Sequence, residues 1–192
     1  MAPGRTPLVL ASASPRRLDL LRQIGLIPDE VLPAAIDEAS LRDEPPRAHA
    51  LRLARRKAET VAALRPEARV LAADTVVALG RRILPKAEDE TQARRCLELL
   101  SGRRHRVFSA LCLIAPGAAP RCRLSESVVA FKRLTPDEIA AYLAGGEWKG
   151  KAGGYAVQGA AAGLIRWLAG SYSGVVGLPL YDVRALLADA GD

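Results

Sequence analysis

The chain has 192 residues, enough for one domain with a sizeable core, and apolar residues make up 49% of it. No apolar run reaches the ~20 residues of a membrane span, and the start lacks the charged-then-apolar order of a signal peptide, so a cytoplasmic protein is expected. The net charge of +7 favours anionic partners without naming one, although free coding of arginine and alanine accounts for most of the surface arginines.

Aromatics are only 4% of the chain, so the core is expected to be aliphatic. The three cysteines, Cys96, Cys112 and Cys122, show no C-x-x-C spacing. With an odd count, buried reduced thiols are the expectation.

In chain order, Val9 to Ala11 reads as a buried strand that ends in Ser12 and Ser14. Pro15 to Ile24 follows as a helix stopped by Gly25, with proline at the first helical position, where its missing N–H costs nothing. Val31 to Ile36 is a weaker strand leading into Asp37-Glu38, and Pro46 to Leu64 shows apolar residues at helical spacing. Arg69 to Ala73 and Thr75 to Leu79 read as two short strands on either side of Asp74, with a turn at Gly80-Arg81-Arg82.

Thr91 to Leu100 is a helix closed by Ser101-Gly102. Arg106 to Ile114 and Arg123 to Leu134 form a hairpin around Pro116–Pro120. Thr135-Pro136-Asp137-Glu138 begins another helix, with acids at its positive end, and Gly145-Gly146 stops it. Gly150 to Gly163 has no clear periodicity, Leu164 to Leu168 reads as a strand, and Pro179 to Ala190 as the closing helix. Strands and helices mixed in this way imply a single α/β domain over residues 1–192.

Two sites carry chemistry. At Ser12 to Arg17, serine hydroxyls, guanidinium groups and free backbone N–H groups meet at one helix N-terminus, which suits phosphate oxygens and suggests a nucleotide. At Asp74-Thr75 an acid ends a buried strand, which is costly unless it is paired, hydrogen-bonded or metal-bound. No helix starts there to be capped, so metal binding or base catalysis is preferred to capping.

Other residues are weaker by themselves. Glu38 reads as a loop acid, Lys57 as the end of the cluster Arg55-Arg56-Lys57, a mostly solvated helix face with one of the three turned inward, and Lys86 as either a phosphate ligand or an exposed loop lysine. Gln158 lies among glycines that permit close backbone approach, and its amide can read a base edge through both a donor and an acceptor. His49 and His105 lack the neighbours of a zinc site, and Arg103 to Arg106 lacks the aromatic platform of a nucleic-acid surface.

Together these blocks resemble one family, the Maf nucleoside triphosphate pyrophosphatases. The resemblance runs through Leu10-Ala11-Ser12-Ala13-Ser14-Pro15-Arg16-Arg17, Leu53-Ala54-x-x-Lys57-Ala58, Ala73-Asp74-Thr75 and Leu100-Ser101-Gly102-x-x-His105-x-Val107. It continues through Lys151-Ala152-Gly153-Gly154-Tyr155-x-x-Gln158-Gly159 and Val176-Gly177-Leu178-Pro179-Leu180, six blocks in order over nearly the whole chain.

The resemblance implies a mixed α/β Maf/Ham1 fold, a twisted sheet with helices in two lobes around a central cleft. It implies release of pyrophosphate from a nucleoside triphosphate, with Mg²⁺ or Mn²⁺ as cofactor and a homodimer as the expected assembly. Asp74 matches the catalytic acid, and Glu38, Lys57 and Lys86 match its other cleft residues. Either Asp74 and Glu38 hold the metal or Asp74 acts as general base on the attacking water, with Ser12, Arg16 and Arg17 on the phosphates. Arg16, Thr75 and Gln158 match the positions that mark the branch acting on dTTP and UTP.

The alternatives are a 7-methyl-GTP or broader specificity, or a non-catalytic nucleotide- or nucleic-acid-binding regulator of septum formation. Retention of the whole acidic and basic set argues against the last, so a nucleic-acid partner is not expected. One departure is Pro85-Lys86-Ala87, where the family usually has Gly-Lys-Pro; the lysine stays in register and its flanks change.

Overall fold

In the computed structural model, which describes residues 5–189, Arg69–Leu79 is one continuous strand, β3. The sequence reading divides it at Asp74. The structure corrects that division, because β5 (Arg104–Ile114) pairs antiparallel with β3 from Val70 to Ala78 without a break. An unbroken ladder satisfies the backbone on both sides of the acid, so the strand runs straight through it.

The other edge of β3 changes partner along its length. Strand β1 (Leu8–Ala11) runs parallel to residues 69–72 and ends there. Strand β4 (Arg82–Leu84) pairs antiparallel with residues 77–79. Residues 73–76 lie between these two partners, at a gap in the sheet edge. Strand β2 (Glu30–Val31) extends β1 in parallel, while β6 (Arg121–Phe131) and β7 (Ile165–Ala169) continue antiparallel from β5. The result is a seven-stranded mixed sheet of order β2-β1-β3-β5-β6-β7, with β4 beside β3 off that path.

Helix α2 (Pro46–Leu64) covers one face, where Ala50, Ala54, Ala58 and Val61 pack on Val70, Ala72, Val76 and Ala78. Three alanines on that stripe let the helix lie close to the strands. Helices α1 (Pro15–Gln23) and α6 (Leu180–Ala188) belong to a leucine-rich core with Leu10, Leu71, Ala73 and Leu111 on the opposite face. A third core joins α3 (Glu90–Leu100) and α4 (Pro136–Ala144) to Val77, Leu84, Val107 and Val129. Helix α4 starts where the sequence reading has it, and Thr135 and Glu138 close a capping box there.

Helix α5 (Tyr172–Val176) is short and unforeseen in the sequence; Ser171 caps it by accepting from the Gly174 N–H. Of the expected strand at residues 31–36 only Val31 is in a strand, the two-residue β2. The loop after it is pinned to α2, since the Glu44 carboxylate accepts from Arg52 at 2.6 Å and from the Leu41 N–H at 3.1 Å, and lies 2.8 Å from His49. Arg52 also donates to the Ala39 carbonyl at 2.9 Å, which fixes the chain immediately after Glu38.

Cys112 and Cys122 face each other across the β5–β6 ladder and form a disulfide, correcting the expectation of reduced thiols; Cys96 is free and buried. Hairpin register, rather than a short spacing motif, brings them together. Among the described residues no helix is long and apolar enough to cross a membrane.

Candidate active site

The gap beside β3 opens into a cleft of about 470 Å³. Ser12, Arg16, Arg17, Glu38, Lys57, Asp74, Thr75, Lys86 and Gln158 all line it. Every residue singled out from the sequence as a site residue therefore falls in one place. The cleft lies beyond the carboxyl end of β1, the end of the strands at which open α/β sheets commonly take ligands.

Strand alternation puts Asp74 on the same face as Ala72 and Val76, under α2. Lys57 lies on that buried stripe, seven residues after Ala50, and donates to Asp74 Oδ1 at 2.7 Å. Both side chains are almost fully buried. Lys57 also reaches Glu38 Oε1 at 2.6 Å, and Lys86 bonds Glu38 Oε2. Burial alone would raise the Glu38 pKa, but the hydrogen bonds and charges of the two lysines outweigh it and hold the carboxyl at about 2. Two acids and two lysines thus form one alternating chain, Asp74–Lys57–Glu38–Lys86.

Thr75 faces the other way, toward α1 and α5. Arg17 donates to Thr75 Oγ1 at 3.4 Å, to Ser12 Oγ at 3.0 Å and to the Gly177 carbonyl at 2.9 Å. Three donors of its guanidinium are therefore used in building the wall, which leaves fewer for a phosphate than the sequence suggests. Burial lowers the Arg17 pKa, opposed by the charges of Asp74 and Glu38. Arg16 differs: its Nε is buried with no hydrogen-bond partner. Ser14 precedes α1 without a side-chain cap, and residues Ser14 to Arg16 open onto the cleft, so the positive end of the helix does too.

The Lys86 loop is laced to residues 150–153. The Gly150 N–H donates to the Ala87 carbonyl at 2.8 Å, the Ala87 N–H to the Lys151 carbonyl at 3.1 Å, and the Gly153 N–H to the Pro85 carbonyl at 2.9 Å. This explains how the chain accommodates Pro85-Lys86-Ala87: alanine at 87 supplies an N–H that a proline lacks. Gly153 takes φ +68°, and a Cβ there would lie 2.8 Å from a Val77 methyl group, so only glycine permits this approach to β3.

Gln158 is an exposed residue of the cleft wall. Its segment is held by the Ala156 N–H on the Tyr142 hydroxyl at 3.1 Å and by the Ala160 N–H on Glu147 Oε2 at 2.8 Å. Tyr155 also lines the cleft and lies 2.7 Å from His105 Nε2. Burial lowers the His105 pKa to about 4 and pushes the Tyr155 hydroxyl up.

Sequence reasoning gave no role to Lys151, which the structure adds to the cleft wall. Its signal was its place at the head of the Lys-Ala-Gly-Gly-Tyr block. As to a metal, Asp74 and Glu38 are the acidic side chains of the cleft, and no group of three or more His, Cys, Asp or Glu placed to hold a metal ion occurs among the described residues. Two carboxylates suit Mg²⁺, which binds through one or two carboxylates plus substrate phosphates and water. They do not make a closed site for zinc.

The family profile described as Maf-like protein matches residues 7–190. A dTTP/UTP pyrophosphatase of Novosphingobium aromaticivorans is 62% identical over 184 residues, covering 96% of this chain and 92% of that protein. Another protein of that name, from Caulobacter vibrioides, is 61% identical over 184 residues and covers 96% and 95%. Among solved structures, a HAM1 protein from Coxiella burnetii aligns with a TM-score of 0.45 at 17% identity, over 68% of this chain and 75% of that one. With the family profile spanning nearly the whole chain and relatives at this identity, the protein belongs to the Maf family.

Proposed function

We propose that this protein hydrolyses dTTP and UTP to the nucleoside monophosphate and pyrophosphate, a house-cleaning reaction on cytoplasmic nucleotide pools. The observation that carries this is the meeting, at the gap beside β3, of the alternating Asp74–Lys57–Glu38–Lys86 chain with Arg16 and Gln158. The names of the relatives, dTTP/UTP pyrophosphatase, support the choice of base.

Water adds across the α–β anhydride: its oxygen ends on one phosphoryl group, and the bridging oxygen leaves with the other. Such a reaction needs charge neutralisation and an aligned water more than covalent help from the protein. Asp74 orients the water and accepts its proton. Lys57 keeps Asp74 in place, and Lys86 and Arg16 neutralise phosphate oxygens. Gln158 offers an amide donor and acceptor to the base, which suits the carbonyl and N–H edge shared by thymine and uracil. A divalent cation bound with the substrate would be held by Asp74 and Glu38, supplying further neutralisation and a more acidic bound water.

Incubation with dTTP and Mg²⁺ should release pyrophosphate, with UTP close behind and 7-methyl-GTP far slower. Release no greater than that of an Asp74→Ala control would overturn the reading. Strong, salt-sensitive DNA binding without turnover would favour a regulatory role instead.

A further inference from the structure

Five cationic side chains and two acidic ones line the cleft, an excess of three positive charges. Lys57 and Lys86 already have acidic partners in Asp74 and Glu38, and Arg17 donates to three protein oxygens. Arg16 and Lys151 remain. Among the described residues neither has an acidic partner within ion-pair distance; Arg16 Nε is buried without an acceptor, and Lys151 gives one donor to the Lys149 carbonyl at 3.0 Å.

These two groups come from segments far apart in sequence. Arg16 sits in the first turn of α1, while Lys151 lies in the strap that hydrogen-bonds the Lys86 loop. That strap cannot drift, because Gly153 is pressed against Val77 of β3. The groups feel each other: burial lowers the Lys151 pKa, the Arg16 charge lowers it further, and Glu147 opposes both. Two like charges held together at a partly dry surface raise the energy of the ligand-free protein. A multiply charged anion between them removes that cost and gains charge-assisted hydrogen bonds.

We infer that Lys151 is a substrate-binding residue that grips the polyphosphate chain together with Arg16, with two of its three ammonium donors free for phosphate oxygens. This deepens the proposed function and rests on it for the substrate, though not for the anion site itself. Lys57 serves the acidic centre and Lys86 joins that centre to the phosphates, whereas Lys151 and Arg16 form a cationic pair that only an anionic ligand completes.

The test is calorimetric binding of inorganic tripolyphosphate to the full chain, alongside kcat and KM for dTTP. Lys151→Met keeps most of the apolar stem and removes the charge. It should weaken tripolyphosphate binding about tenfold to a hundredfold, the range for a lost charge-assisted hydrogen bond, and raise KM more than it lowers kcat. Lys151→Arg should restore most of the binding, and Lys149→Met, a nearby surface charge, should leave it unchanged.

Lys151→Gln, which keeps a donor for the Lys149 carbonyl, is read if the methionine variant does not fold. Affinity within about twofold of wild type in a folded charge-deleted variant overturns the inference. So does loss of folding in both, which would make Lys151 structural. Wild-type protein that binds tripolyphosphate but does not turn over dTTP overturns the proposed reaction alone.

Discussion

Asp74 and Thr75 are consecutive residues of one strand, yet Lys57 holds the first at 2.7 Å on the α2 face and Arg17 reaches the second at 3.4 Å on the α1 face. Elsewhere in the sheet such a pair would be separated by neighbouring strands. Here β1 has ended and β4 has not begun, so one ligand in the gap can touch both faces. The acidic centre and the phosphate wall meet because the sheet is locally incomplete.

The Lys57–Asp74 pair should respond asymmetrically to mutation. Lys57→Met strands the nearly fully buried Asp74 without a counter-charge, and losing one partner of a buried pair costs about 3–5 kcal/mol. Asp74→Asn should cost less, because Lys57 keeps Glu38 at 2.6 Å. Urea unfolding of the two variants measures this, and equal losses would show that Glu38 does not share the lysine. Pyrophosphate release should fall about a hundredfold or more in Asp74→Asn, well beyond its effect on KM.

Glu38 should remain anionic through most of the acid range. Its folded pKa, about 2, lies below the ordinary 4.5, so its charge and its lysine contacts persist as pH falls through 4.5 and are lost only near 2. The acid limb of kcat/KM for dTTP above pH 4 should therefore not move in Glu38→Gln, although the plateau drops. A limb that disappears in this variant would assign it to Glu38 after all.

The sequence made the site easier to read than its supports. Ser12, Arg16, Asp74 and Gln158 were legible because acids, arginines and glutamines beside buried strands or glycines have few structural reasons to be there. Lys57 was ambiguous within Arg55-Arg56-Lys57 until α2 was docked, since only packing shows which side of a helix is inside. The disulfide, the unbroken β3 and the role of Gly177 as acceptor for Arg17 depend on long-range register, which local patterns do not encode. Lys151 was hidden because its importance lies in partners it lacks.

Base selection should depend on a glycine that never touches the base. Gly159 has ordinary backbone angles, but a Cβ there would lie 2.0 Å from Glu147 Oε2, the group that accepts from the Ala160 N–H. Gly159→Ala must push the Glu147 carboxylate aside, and a flexible side-chain end yields cheaply. Stability should change by less than about 1 kcal/mol while the turn after Gln158 loosens. The ratio of kcat/KM for dTTP over CTP should fall severalfold in Gly159→Ala and in Glu147→Ala. The double variant should add little to either, and additive losses would show that the glycine acts by another route.

His105 should make the protein sensitive to mild acid. Its ring is 2% exposed, with Nε2 on the Tyr155 hydroxyl and Nδ1 without a partner, and burial depresses its pKa from 6.5 to about 4. Between those values the unfolded chain binds a proton that the folded chain does not. Folding stability is therefore complete above pH 6.5 and declines as pH falls toward 4, by about 3 kcal/mol for a shift of this size. Glu44, held at about 2 by Arg52 despite its burial, adds its own loss only below 4.5. Urea unfolding at pH 7, 5.5 and 4.5 should thus show a decline in wild type that is much reduced in His105→Gln. The glutamine can still meet the Tyr155 hydroxyl, so the wild-type-minus-variant difference reports the imidazole proton. Parallel profiles would mean that His105 is protonated in the folded protein, with its Nδ1–H satisfied.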